Sequence, residues 1–305
     1  MANGNGNAPT TIKAYLAELK TRLSKQPPAL VQDALADCEE HLRAARADAP
    51  AKSEAEVLCD IIETYGTPQE VAEEYLAMEQ AIKGPFASST TMDHDEVERG
   101  PGFFGVLIDP KAYGALIYML LSLATGIFYF TWAVTGVSLS IGLAILIIGV
   151  PFALLFIGSV RVIGWIEGRI VEALLGVRMP RRLPTTTEQG TIWGNIKAVL
   201  KDPRTWTSLI YMMLHLVLGT IYFTIAVVSG AVSLGVLSSA AYELATGKHV
   251  VQIHGNPELE AFLTSTPGLV LLVFAGILGI ILTLHIARVI GYIHGRIAEA
   301  LLVRA

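Results

Sequence analysis

Hydrophobic positions along the chain fall into two regimes. Between residues 10 and 83 they recur at helical spacing. Ile12, Leu16, Leu19 and Leu23 form one stripe, Val31, Leu35, Cys38 and Leu42 a second, and Val71, Tyr75, Met78 and Ile82 a further one. A 4-3-4 spacing keeps side chains on one face of an α-helix. A shorter helix carrying Val57, Leu58, Ile61, Ile62 and Tyr65 lies between them, opened by a Ser53–Glu56 capping box and stopped at Gly66. Thr67, Pro68 and Glu70 then start the last helix. Such short helices are marginal alone, so the pattern predicts a small four-helix bundle.

From residue 102 the alternation gives way to long apolar runs. No Asp, Glu, Lys or Arg occurs in 112–160, 205–242 or 261–287. A membrane-spanning helix needs about 20 apolar residues for a core about 30 Å thick. The first run is too long for one crossing and reads as a hairpin turning near Gly136 to Gly142. The expectation is four transmembrane helices, near 112–135, 139–161, 206–229 and 267–289.

These runs are bracketed by a phrase that occurs twice. Arg161-Val-Ile-Gly164-Trp-Ile-Glu167-Gly168-Arg169 returns as Arg288-Val-Ile-Gly291-Tyr-Ile-His294-Gly295-Arg296. Upstream, Asp109-Pro110 through Tyr118 matches Asp202-Pro203 through Tyr211. Self-similarity of this kind reads as a tandem repeat. With an even number of crossings per copy, the copies are expected to be parallel, related by an axis along the membrane normal. The predicted architecture is an all-α membrane protein: a disordered start (1–9), a cytoplasmic bundle (10–83) and a linker (84–101). Then come a first membrane repeat (102–180), a connector (181–190) and a second repeat (191–305) with an outer insertion at 238–266.

Short amphipathic lead-ins are expected along the inner interface, with Phe103, Phe104, Val106 and Leu107 in one copy and Ile192, Trp193, Ile196, Val199 and Leu200 in the other. Tyr113, Tyr118, Trp165, Trp206 and Tyr292 fit an aromatic belt. In the closing phrases Arg169 can pair with Glu172 and Arg296 with Glu299 at i, i+3. Gly164 with Gly168, and Gly291 with Gly295, are spacings that let helices approach closely. Arg161, Arg169, Arg288 and Arg296 join these glycines as helix-contact and interfacial candidates.

Charge sets the orientation. In this topology only Lys248 falls on the side away from Lys111, Arg161, Arg178, Arg204, Arg288 and the other bases, so both termini are expected to be cytoplasmic. The net charge of −5 hides an asymmetry, since residues 1–100 hold 18 of the 27 acidic groups. An acidic bundle argues against nucleic-acid binding. Cys38 and Cys59 have neither a CxxC spacing nor a flanking cation and read as ordinary core residues.

Tyr15-Leu16, Glu39-Glu40-His41-Leu42 and Tyr65-Gly66-Thr67-Pro68-Gln69-Glu70-Val71-Ala72 resemble the bacterial HAAS-type signalling domain. That resemblance implies a protein-interaction role for the bundle. The doubled Asp-Pro, Gly149-Val-Pro151 and Arg-x5-Glu-x-Arg pattern resembles the sensor domain found ahead of bacterial histidine kinases. The second copy departs from it, with His294 in place of Glu167 and Val303 in place of Gly176.

Candidate chemistry is sparse. His215 stands where the first copy has Ser122, and His285 where it has Gly158. An ionisable group inside a membrane is a functional candidate by default. Either histidine could ligate a haem or chlorin, but they differ in depth by roughly 9 Å at about 1.5 Å per residue, so one metal axis does not join them. Hydrogen bonding to a helix carbonyl is the commoner fate, and no cofactor or metal is expected. His249 and His254 give only a weak metal signal in the outer insertion, and His41 reads as a packing residue. No nucleotide, protease or hydrolase motif occurs, so the chain is not expected to be an enzyme. The leading expectation is a membrane sensor or regulator that relays a signal through the bundle to other proteins. A structural accessory subunit of a larger membrane complex is the second, and a lipid- or porphyrin-handling protein the third.

Overall fold

The computed structural model describes residues 9–82, 102–143, 149–181, 202–250 and 257–303, all helical or irregular, with no strand among them. The first four helices are α1 (Ile12–Arg22), α2 (Pro28–Asp48), α3 (Glu54–Tyr65) and α4 (Pro68–Ile82). They begin where capping chemistry dictates. The Ser53 hydroxyl accepts from the Glu56 amide while Glu56 accepts from the Ser53 amide at 2.7 Å, and Thr67 with Glu70 repeats the device at 2.8 Å. Those amides hold both carboxylates below the usual range. The stripes expected from spacing form the core: Leu19, Leu23, Ala34, Cys38 and Val71 make one cluster, and Tyr15, Leu42, Val57, Leu58 and Ile61 another. Burial pushes the Cys38 thiol up to about 11, which leaves it inert. His41 stacks on Tyr65 with ring centres 4.4 Å apart, the packing role expected of it.

A 3₁₀ turn (Gly105–Leu107) leads into α5 (Pro110–Leu143), followed by α6 (Gly149–Leu175), α7 (Pro203–Thr246), α8 (Pro257–Leu263) and α9 (Thr266–Leu302). Helices α5, α7 and α9 are long and apolar enough to cross a membrane. At about 1.5 Å per residue, the 44 residues of α7 extend about 66 Å, well beyond a core about 30 Å thick. Two sequence expectations change here. Helix α5 runs unbroken through Gly136 and Gly142 to Leu143, so no turn falls at 136–142. Much of the presumed outer insertion is helix: α7 continues to Thr246, where Gly247 caps it in the left-handed conformation at φ 67°. The linker, the connector beyond Arg181 and the lead-in at 192–200 lie outside the described residues, as does His254.

The direction of packing departs from expectation. Helices α5 and α6 oppose one another, with Trp132 donating to Ser159 and Gly136 set against Phe156. So do α7 and α9, with Ser233 at Gly279 and Leu237 at Gly276. Contacts between α5 and α9 instead advance in step: Asp109 meets Arg288, Ala115 meets Gly291, and Tyr118 meets His294. The matched positions do the same between α7 and α6, where Asp202 meets Arg161, Ser208 meets Gly164, and Tyr211 meets Glu167. It follows that α5 and α7 are antiparallel, not parallel as the even crossing count implied. At their contact, a side-chain carbon on Gly219 would collide with the Ser122 carbonyl, and one on Gly126 would lie 3.0 Å from the His215 carbonyl. Two bare backbones can approach this closely only at glycine. The crossed Asp–Arg pairs, at 2.8 Å for Arg161 with Asp202 and 3.4 Å for Arg288 with Asp109, tie each hairpin to the other.

The bundle docks on this assembly. Asp33 accepts from Arg178 and from the Arg181 amide at 2.9 Å, and Arg178 also reaches Glu79 at 2.9 Å. Ala29 of α2 enters the same apolar cluster as Tyr118, Val171, Met179, Tyr211 and Ala298.

Candidate functional site: a buried Glu–His–Tyr cluster

Where the four long helices meet, a carboxylate sits among tyrosines. Glu167 of α6 is 1% exposed. Its Oε1 accepts from the Tyr118 hydroxyl at 2.6 Å and the Tyr211 hydroxyl at 2.9 Å, and its Oε2 accepts from Tyr129 at 2.7 Å. Tyr118 and Tyr129 come from one turn-related face of α5, Tyr211 from α7. Each donor is buried, so none would find water if the carboxylate were removed.

His294 of α9 closes the other side, its Nε2 lying 2.5 Å from the Tyr118 hydroxyl and 2.9 Å from that of Tyr211. A hydroxyl has one proton. With both spent on Glu167, the two oxygens accept from His294, which assigns its proton to Nε2. His215 of α7 lies beside it, ring centres 5.4 Å apart. Its Nε2 is 3.0 Å from Thr125 Oγ1, the shortest of that hydroxyl's contacts, the Leu121 and Ser122 carbonyls lying at 3.3 Å. Both histidines are fully buried, and neither Nδ1 has a hydrogen-bond partner. One ligating atom from each of Glu167, His215 and His294 falls within 4.8 Å of the others.

Of the two histidines singled out from sequence, His215 is in this cluster and His285 is not. His285 Nε2 lies 3.1 Å from the Phe103 carbonyl and its ring stacks on Phe103, the ordinary fate expected for a membrane histidine. His249 pairs with the buried Glu243 at 2.8 Å at the end of α7. An apolar groove of about 350 Å³ between α5 and α6 reaches the cluster from outside, lined by Thr125, Phe128, Tyr129, Ile163, Ile166 and Ile170.

The glycine and arginine candidates fall around this centre. Gly291 packs on Ala115 and Leu175, Gly295 on Val177, Gly168 on Met179 and Gly164 near Leu302. Arg169 pairs with Glu172 at 2.6 Å and Arg296 with Glu299 at 3.2 Å, as spacing required. Arg169 also donates to the Met179 and Pro180 carbonyls, which folds residues 176–181 back along α6 toward the bundle. Tyr118 is no belt residue, being 1% exposed.

Sequence reasoning missed Glu167, His294 and the three tyrosines as a site. The signal was present: Tyr118 and Tyr129 recur in register as Tyr211 and Tyr222, while the matched pair Glu167 and His294 differs. A repeated polar frame with one exchanged acid and base marks the place where the copies face each other.

Residues 118–302 match the Sensor family, described as "Putative sensor", and residues 14–74 match HAAS. The first match covers more than half of the chain, which therefore belongs to the Sensor family, with a HAAS domain ahead of it. No curated protein and no solved structure matches this chain. Family and helices together give a membrane protein with a sensor domain and a signalling domain in one chain.

Proposed function

We propose that this chain is a non-enzymatic sensor of the bacterial inner membrane, in which the state of the buried cluster is relayed along α6 and residues 176–181 to the cytoplasmic HAAS bundle. The observation that carries it is the covalent and packed route between them. Glu167 lies eight residues before the end of α6, and the segment after that helix supplies Arg178 and Arg181, which hold Asp33 and Glu79 of the bundle. A change in where Glu167 is held moves the helix that ends at the docking contact. Tyr118 and Tyr211 share an apolar cluster with Ala29 of the bundle, a second route that bypasses the ion pairs.

Arginines at the docking face favour a cytoplasmic bundle, since basic residues flank membrane helices on that side. The bundle acts on other proteins through faces that its own core leaves exposed, which is how a chain without a catalytic motif passes on a signal.

Arg178 is the residue to change. It is 14% exposed and bonds both acidic partners, and hydrogen bonds to charged groups are worth roughly 1.5–3 kcal/mol each. Arg178→Ala is expected to weaken docking by about 2 kcal/mol or more. Hydrogen exchange should then rise in residues 28–33 and 176–181 while the amides around Leu42, Val57 and Leu58 keep their protection. Unchanged exchange at 28–33 would show that the ion pairs do not hold the bundle.

A further inference from the structure

We infer that Glu167, His215 and His294 form a binding site for a first-row divalent transition-metal ion of the Zn²⁺ type, seated where α6, α7 and α9 meet. Three observations converge on it. One carboxylate oxygen and one nitrogen from each imidazole already lie within 4.8 Å of one another. Tetrahedral coordination at about 2.0–2.2 Å would bring them to about 3.4 Å, a closure within the reach of side-chain rotation. The hydrogen-bond assignment leaves a bare lone pair on Nδ1 of His294, and Nδ1 of both histidines is buried without a partner. A buried unpaired polar atom is costly, and two in one cluster point to a group that takes lone pairs.

The second nitrogens are already dressed for this. A metal-ligating histidine normally donates its other N–H to an oxygen that fixes the ring. Here His294 Nε2 faces the Tyr118 and Tyr211 hydroxyls, and His215 Nε2 lies 3.0 Å from the Thr125 hydroxyl. Charge gives the third argument. Among the described residues no Lys or Arg pairs with Glu167, although it is 1% exposed in a segment rich in arginine. A cation held by its free lone pair supplies the missing positive charge without disturbing the three tyrosine donors. Two imidazoles and one carboxylate suit Zn²⁺, Fe²⁺, Co²⁺ or Ni²⁺ and not Mg²⁺ or Ca²⁺, which take oxygen ligands.

The three ligands come from three helices, so binding draws α6 toward α7 and α9. This deepens the sensor reading by naming the class of ligand, and it rests on that reading for its consequence but not for binding itself.

The test uses the full-length chain in detergent, carrying an affinity tag without histidine and washed with chelator. Zn²⁺ is counted by equilibrium dialysis, and Co²⁺ serves as the spectroscopic probe. One Zn²⁺ per chain is expected, with Co²⁺ giving the strong visible bands of a tetrahedral site that Zn²⁺ displaces. Glu167→Gln and His215→Ser, the latter copying the residue at the matching position 122, should abolish that equivalent. Thr125→Val, which touches no metal and leaves the helices intact, should weaken binding about 10–100-fold by freeing the His215 ring. His249→Ala should leave it unchanged. No bound equivalent in the wild type, or the same affinity in all three site variants, overturns the proposal. Zn²⁺ bound at this site with no change in exchange at residues 28–33 would retain the site and overturn the relay.

Discussion

Glu167→Ala should be the most damaging single substitution in the membrane part of the chain. It strands the hydroxyls of Tyr118, Tyr129 and Tyr211, all buried, and a buried unsatisfied group costs roughly 1–3 kcal/mol. Three of them give a loss of at least about 3 kcal/mol, before counting His294, whose two acceptors then lose their orientation. Unfolding in a graded detergent mixture measures it. Glu167→Gln is the informative companion. It keeps an oxygen to accept hydrogen bonds and the side-chain volume, so most of the stability should return. If alanine and glutamine behave alike, the cluster is not held by its hydrogen bonds.

The second large effect concerns how the two hairpins lie. A cysteine pair replacing Ala115 and Gly291 should form a disulfide readily in a Cys59→Ser background. A carbon on Gly291 would stand 2.8 Å from the Ala115 side-chain carbon, and disulfide Cβ atoms lie about 3.5–4.5 Å apart. The control pair, Ala115→Cys with Ser208→Cys, joins positions that match in the two sequence copies. Copies running in the same direction would hold these at equal depth, whereas opposed copies separate them. Mild oxidation followed by gel mobility distinguishes the two. Cross-linking of the control pair in place of the Ala115–Gly291 pair would restore the parallel arrangement that the crossing count suggested.

Much of the fold was legible in the sequence because its determinants are local. The stripes of the bundle, the Ser53 and Thr67 capping boxes and the Arg169–Glu172 pair depend on residues within a turn or two and stand where spacing put them, except Met78 of the last stripe, which is 51% exposed. The long apolar runs became long helices for the same reason. What local pattern could not carry was the relation between copies. Counting crossings assumes that each hairpin enters from the same side. The opposed packing is set by contacts across 80 residues or more, such as Ser122 with Gly219 and Tyr118 with His294. The candidate site suffered likewise. Tyr118 read as a belt residue from its place near Asp109, and the Glu167-to-His294 exchange read as a departure from the family pattern, because neither sequence position shows that the two face each other. His215 was found because a histidine in an apolar run is conspicuous alone, and His285 was conspicuous for the same reason without belonging to the cluster.

Docking of the bundle was likewise hidden. Asp33 and Glu79 are two of 18 acidic groups in residues 1–100 with no spacing that singles them out, and Arg178 and Arg181 read as membrane-flanking bases. Their pairing needs the turn after α6 that Arg169 enforces by bonding the Met179 and Pro180 carbonyls.

The measurement that bears most directly on the account is hydrogen exchange of the intact chain with the cluster perturbed at a distance from the bundle. Tyr129→Phe removes the hydroxyl that donates to Glu167 Oε2, and Tyr129 lies outside the apolar cluster that holds Ala29. Faster exchange at residues 28–33 and 176–181, with the amides around Leu42 and Leu58 unchanged, is the predicted result. Exchange that changes only in α5, α7 and α9 and leaves 28–33 as in the wild type would contradict a link between the buried cluster and the cytoplasmic domain.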